Sequence, residues 1–300
     1  MPELPEQPIS NFKAWMMAIR PKTLPAAISP VVVGTAMAFH DGTFKVLPAL
    51  AALMGALLLQ IGVNLANDYF DFIKGVDDKD RLGPVRVTQS GLIPPGQVKA
   101  GMGCVFGLAV LIGVYLINLG GWPIMAIGAA SIISALAYSG GPYPLGSHGL
   151  GDLFVFVFFG LVAVCGTYYV QALRLTLPAV LSAIPVGLLI TAILVVNNLR
   201  DIDSDRRAGK RTLAVILGKR GARIEFIGLV IAAYAFSLFF AITGLFPRFV
   251  LLTLLSIPMA VSIIATIMNQ EGPVLNLALA GTAKFTLAFS LLFAIGLMLP

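Results

Sequence analysis

Three hundred residues would suit one or two soluble domains, but the composition excludes them: apolar residues make up 58% of the chain, charged residues only 11%, and mean hydropathy is +0.93. The net charge of +6 sits on basic residues between long apolar runs, where membrane topology places them, so nucleic acid is not an expected partner. Lipid is the solvent, and within it only helices or a closed barrel satisfy the backbone. The runs are uniformly apolar rather than alternating, which points to an all-α, polytopic membrane protein. Cys104 and Cys165 fall inside apolar runs and read as packing residues.

In chain order the spans are predicted at about 24–39, 47–72, 100–118, 122–138, 153–172, 177–199, 222–244, 249–268 and 275–299, each near the roughly 20 residues that cross a bilayer. The expectation is therefore a nine-helix bundle forming a single domain over 1–300, with residues 1–20 as a cytoplasmic lead. Lys13, Arg20 and Lys22 before an apolar run ending in Ala36, Met37 and Ala38 mimic a secretory signal. The long Pro-rich lead, and Pro25 and Pro30 inside the run, argue against cleavage. Nine spans put sixteen of the twenty Lys and Arg on the side of the N-terminus and three on the other, which makes the first side cytoplasmic. Lys284 completes the twenty from inside the last span, where it either snorkels to the headgroups or faces the bundle interior.

Carboxylates are distributed more unevenly still. Asp68, Asp71, Asp77, Asp78 and Asp80 lie where the second span leaves the membrane, and Asp201, Asp203 and Asp205 where the sixth does, so two segments hold eight of the fourteen. On a helix Asn64, Asn67, Asp68 and Asp71 share one face, and so do Asn197, Asp201 and Asp205. Clustered carboxylates need a cation, and an all-oxygen set of Asp and Asn favours Mg²⁺, which takes one or two carboxylates and completes its shell with substrate phosphate oxygens. Two such faces opposed across a cavity would hold a diphosphate. Arg81, Arg86, Lys210 and Arg211 follow the acidic faces closely and suit the same anion.

A third loop on that side, Tyr138 to Asp152, carries no Lys or Arg but has two tyrosines and a histidine: Tyr138, Tyr143 and His148. An aromatic, near-neutral loop suits a planar acceptor or an allylic cation shielded by ring faces.

These residues resemble the UbiA superfamily of intramembrane aromatic prenyltransferases. Asn67, Asp68 and Asp71 are similar to its first aspartate motif, and Asp201 with Asp205 to its second. The sequence Lys74, Gly75, Val76, Asp77 departs from members that place a third Asp at the position of Gly75, and looks like the branch that prenylates 1,4-dihydroxy-2-naphthoate. Arg20 to Pro25, Gly83 to Arg86, Ser90 with Gly91, Ser139 to Asp152, Gly166 to Gln171 and Asn197 to Thr212 match that branch as well.

The resemblance implies Mg²⁺ held by Asn64, Asp68 and Asp71, with Asp77 nearby, and by Asp201 and Asp205. It implies that Asp68, Asp71, Asp201 and Asp205 are catalytic. Substrate would meet Lys22, Asn67, Lys74, Arg81, Arg86, Tyr138, Tyr143, His148, Asn197, Lys210 and Arg211. It further implies a polyprenyl diphosphate donor with its tail in membrane lipid, a 1,4-dihydroxy-2-naphthoate acceptor losing CO₂ to give demethylmenaquinone, and a bacterial inner (plasma) membrane with the active site on the cytoplasmic side. Transfer to hydroxybenzoate, phytyl transfer to a quinone precursor, or a divalent-cation transporter are the alternatives. A transporter would place its ligands near the midplane rather than at one end. CDP-alcohol phosphotransferases need both acidic motifs on one stretch, whereas these stand far apart in the chain.

Overall fold

The computed structural model describes residues 9–75 and 82–300. Prolines divide the first run. Helix α1 (Asn11–Ile19) stops at Arg20, whose backbone is left-handed (φ 54°), and a short 3₁₀ turn (Pro21–Thr23) leads into α2 (Pro25–His40) at 49° to what precedes it. Pro25 suits the first turn of α2, where the missing N–H has no partner to lose. Then follow α3 (Val46–Ile73), α4 (Pro95–Gly120) and α5 (Trp122–Ser139). The next span joins α6 (Gly151–Val155), a π-helical stretch (Phe156–Val162) and α7 (Ala163–Ala172). After α8 (Leu177–Arg207) and α9 (Leu213–Thr243), a 3₁₀ stretch (Arg248–Ser256) runs into α10 (Ile257–Asn269), and α11 (Leu275–Met298) ends the chain.

Among the described residues eight helices are long and apolar enough to cross a membrane, and the bent first pair makes a ninth. No strand occurs among them. The chain is a multi-pass, all-helical membrane protein. Two boundaries differ usefully from the sequence expectation. Helix α8 runs on to Arg207, past the expected end of its span at 199, so the helical face expected for Asp201 and Asp205 is continuous with the span. Helix α9 starts at Leu213 and breaks at Gly218 (φ 72°), so the segment after the second acidic face folds back before the span proper. Within the expected N-terminal lead, α1 buries Ala14 and Ala18 beside Leu65, Val87, Ile93 and Val98, fixing the end of α3 and the segment that follows it.

Helix α8 is the central pillar, with 67% of its apolar window buried, against 11% for α4 at the periphery. Phe285, Phe289 and Phe293 follow one per turn along α11 at 6.3 Å between successive rings, the first pair edge-on and the second stacked, and Phe246 and Phe240 extend the column edge-on. In lipid no hydrophobic force drives helices together, so close backbone approach matters. At Gly160, in the π-helical stretch, a Cβ would lie 2.7 Å from the Cα of Gly187 on α8. At the end of the bundle away from the acidic faces, Tyr168 donates its hydroxyl to Asp41, Arg174 pairs with Asp41 at 3.7 Å, and Gln171 Oε1 accepts from Lys45 N at 3.2 Å. The Gly166-to-Gln171 segment thus closes the far end.

Lys284 is exposed on the outer face of α11, between buried Ala283 and Phe285. The structure supports the snorkelling reading over an interior role. Gly187→Leu is expected to cost at least about 1–3 kcal/mol by overpacking and to lower Tm in detergent, whereas Lys284→Met leaves membrane yield and Tm unchanged. A drop from Lys284→Met as large as that from Gly187→Leu would place the lysine against protein.

Candidate active site

The last two turns of α3 project polar groups in two directions. Asn67, Asp71 and Lys74 face a cavity; Asn64 and Asp68 do not. The Asn64 amide donates to Ile19 O (2.8 Å) and Thr23 Oγ1 (3.0 Å), bracing α3 against the bend of the first span. Asp68 is 1% exposed, and its carboxylate accepts the backbone N–H groups of Val87 (3.1 Å) and Thr88 (3.0 Å). It thereby shapes the turn that carries Arg86. Arg86 in turn reaches back and donates through Nη2 to Asp71 Oδ2 at 2.5 Å, with both side chains nearly buried.

The end of α8 supplies the opposite wall. Arg200 is fully buried at its side chain and forks over Asp201, with Nε to Oδ1 at 2.8 Å and Nη2 to Oδ2 at 2.5 Å. The same guanidinium donates to Asn197 Oδ1 and to Asn276 Oδ1 of α11, each at 2.9 Å, and Asn276 Nδ2 donates to Leu82 O at 2.8 Å. One planar side chain therefore joins α8, α11 and the segment leaving α3. Asp205 pairs with Lys210 at 3.5 Å.

Between these walls lies a cavity of about 320 Å³ at the helix ends. It gathers Asn67, Asp71, Lys74, Arg86, Tyr138, His148, Asn197, Asp201, Asp205, Lys210 and Arg211 of the sequence-predicted set. The two acidic faces, far apart in sequence, do meet. Lys22 is exposed in the 3₁₀ turn and does not line the cavity, and Tyr143 is 59% exposed, stacked on His148 at 3.6 Å. Asp77 and Arg81 lie outside the described residues. The cavity also includes Arg20, Ser139, Asn198 and Thr212, which sequence reasoning left out, as it did Arg200 and Asn276 behind the wall. Arg20 carried a signal, a basic residue at a proline break; Asn276 carried none.

Two loops close over the cavity. His148 Nδ1 donates to Pro144 O at 2.8 Å, and Ser147 O accepts Arg211 N at 2.8 Å, linking the aromatic loop to the basic one. Lys74 Nζ donates to Ser139 O (2.6 Å) and Gly141 O (2.9 Å). Burial holds the Lys74 ammonium below the usual lysine range, with Asp71 opposing that shift and Lys210 adding to it.

Oxygen donors from Asp71, Asp201, Asp205, Asn67, Asn197 and Asn198 dominate the polar lining. Among the described residues, no three His, Cys, Asp or Glu side chains converge to hold a metal by themselves. The set fits Mg²⁺ in the manner of an ion whose remaining ligands are phosphate oxygens, and Arg86, Lys210 and Arg211 supply positive charge for such a group.

Residues 27–286 match the UbiA prenyltransferase family. This chain belongs to that family. It is a prenyltransferase. It is 41% identical over 98% of both chains to a 1,4-dihydroxy-2-naphthoate octaprenyltransferase of Escherichia coli. It is 46% identical to the enzyme of that name from Mycobacterium tuberculosis, over 75% of this chain and 77% of that one. The fold is similar to that of a UbiA homologue from Archaeoglobus fulgidus bound to GPP and Mg²⁺, with TM-score 0.65 and 14% identity over 95% of this chain and 99% of the other.

The prenyltransferase's Arg200 network makes a stability prediction. Arg200→Met strands Asp201 as a buried charge and is expected to cost about 3–5 kcal/mol. Asn276→Leu removes one arm only and should cost about 1–3 kcal/mol. Thermal unfolding in detergent ranks the two; equal losses would mean that the α11 arm carries the whole network.

Proposed function

We propose that this enzyme transfers a polyprenyl group from its diphosphate to 1,4-dihydroxy-2-naphthoate, with loss of CO₂, giving the prenylated naphthoquinol, the reduced form of demethylmenaquinone. One observation carries the reading: Asp71 of α3 and Asp201 and Asp205 of α8 line the same cavity with Arg86, Lys210 and Arg211, at one end of a lipid-embedded bundle. The names of the relatives, and GPP with Mg²⁺ in the archaeal homologue, support donor and acceptor. The Lys and Arg asymmetry supports a bacterial inner membrane with this end and the N-terminus cytoplasmic.

The residues divide the work. Asp71, Asp201 and Asp205, with Asn67 and Asn197, would hold Mg²⁺, which supplies Lewis-acid stabilisation of charge developing on the diphosphate. Arg86, Lys210 and Arg211 neutralise the same charge from the protein side. The allylic C–O bond breaks and its electron pair leaves with the diphosphate. Tyr138 offers a ring face to the allylic cation and, with the near-neutral loop around His148, a flat site for the acceptor. The aromatic carbon bonds to the cation, and the carboxyl departs as CO₂, returning its electron pair to the ring. Asp68 and Asn64 serve this site from behind, through the Arg86 turn and the bend at Thr23.

The direct test supplies membranes containing the enzyme with dihydroxynaphthoate, or hydroxybenzoate in parallel, and prenyl diphosphates of several lengths, with product read by mass spectrometry. Prenylated naphthoquinol, or the quinone that it gives on oxidation in air, is expected with Mg²⁺ and none with EDTA; prenylated hydroxybenzoate alone would overturn the acceptor. Asp71→Asn, Asp201→Asn and Asp205→Asn should each lower turnover about a hundredfold or more, and the first two should also lower Tm, because they remove the carboxylates that pair with buried Arg86 and Arg200. Asp68→Asn should lower both, because the two backbone N–H groups go to different carboxylate oxygens and the amide replaces one of these with an NH₂ donor. Two of the three cavity variants at wild-type turnover under saturating Mg²⁺ would exclude the two-face site.

A further inference from the structure

Lys74 follows the first acidic face and, by charge alone, suits a diphosphate. Its geometry says otherwise. Two of the three ammonium N–H groups are spent on Ser139 O and Gly141 O, at 2.6 and 2.9 Å. Ser139 is the last residue of α5, where helix carbonyls lose their intrahelical partners and the helix end favours a cation. Lys74 thus caps a neighbouring helix. Seven residues back on the same face of α3, Asn67 Oδ1 accepts the Ser139 hydroxyl at 2.5 Å. Between them Phe70 lies over Gly140 so closely that a Cβ there would sit 3.0 Å from the ring. Three residues of α3 grip three consecutive residues at the start of the aromatic loop, and the loop's other end is tied by Ser147 O to Arg211 N.

We propose that Lys74 is a positioning residue for the acceptor loop, and that the Lys74–Ser139–Asn67 latch sets acceptor affinity. Asp71 stands on the same turn of α3, so the helix that presents the donor face also holds the loop that meets the acceptor. The proposal rests on the reading that this loop binds the aromatic substrate, but the state of the latch can be measured without any substrate. Lys74→Met should raise the KM for dihydroxynaphthoate about tenfold, the effect of losing one charge-assisted hydrogen bond. The KM for the prenyl diphosphate should move less than threefold. Lys74→Arg, which can still reach carbonyls, should keep the acceptor KM within about threefold of wild type.

Amide hydrogen exchange of residues 139–150, followed in the substrate-free enzyme in detergent, should quicken in Lys74→Met. It should quicken also in Ser139→Ala, which keeps Lys74 and removes only the hydroxyl arm and so serves if Lys74→Met folds poorly. Unchanged exchange in both variants overturns the latch. A raised donor KM with an unchanged acceptor KM returns Lys74 to the diphosphate. If wild-type membranes do not prenylate dihydroxynaphthoate, the acceptor assignment fails by itself, and faster loop exchange in the variants still upholds the latch.

Discussion

Carboxylates brought to the edge of a membrane must each be answered by positive charge or by N–H groups, because desolvating them alone is prohibitive. Every part of this site follows from that constraint. Asp71 is answered by Arg86, Asp201 by Arg200, Asp205 by Lys210, and Asp68 by the backbone of the turn that delivers Arg86. The pairs are not interchangeable. Arg200 is sealed behind the wall and holds three elements together, whereas Arg86 and Lys210 line the cavity and share a space with whatever anion enters it. Arg200 therefore fixes geometry behind Asp201, whereas Arg86 and Lys210 are themselves available for chemistry.

The scaffold makes this affordable by keeping the acidic faces on rigid elements. Both stand on the ends of long helices whose apolar parts are packed in the bundle, so the donors project from helix rather than from loop. The loops that complete the cavity are tied to these helices and to each other: Lys74 to Ser139 and Gly141, and Ser147 to Arg211. Mobility in such a site would have to come from breaking particular hydrogen bonds, not from slack chain.

The nine spans and the meeting of two distant acidic segments were legible in the sequence, because long apolar runs and one-sided basic loops are large signals. The finer division of α3 was not. At about 100° per residue, Asn67, Asp71 and Lys74 centre on the line that faces the cavity, while Asn64 and Asp68 fall at the rim of the same arc. Periodicity places all of them on one broad face and cannot say where along it the neighbouring helix sits. Arg200 was hidden differently. A basic residue at a helix end on the Lys- and Arg-rich side is the default of topology, and only its buried fork over Asp201 and its reach to Asn276 distinguish it. Asn276, far along the chain and alone in an apolar stretch, has no pattern to belong to. Lys22 is the opposite case: a basic residue within a matching segment, exposed in a turn and not among the residues that line the cavity.

The aromatic column of α11 bears on a quantity set by the cell rather than by the protein. With Phe285, Phe289, Phe293, Tyr168 and Met37 fully buried, the body of the bundle between the cavity and its far end is filled with side chains. Moving one elementary charge through the whole transmembrane potential is worth about 2.3 kcal/mol per 100 mV. A polyanion drawn to mid-depth would therefore tie catalysis to the energetic state of the cell, speeding or stalling it as respiration changed. A cavity confined to one end of the bundle exposes a charged group within it to little of that field. Chemistry at this end of the bundle is then insensitive to whether the membrane is energised.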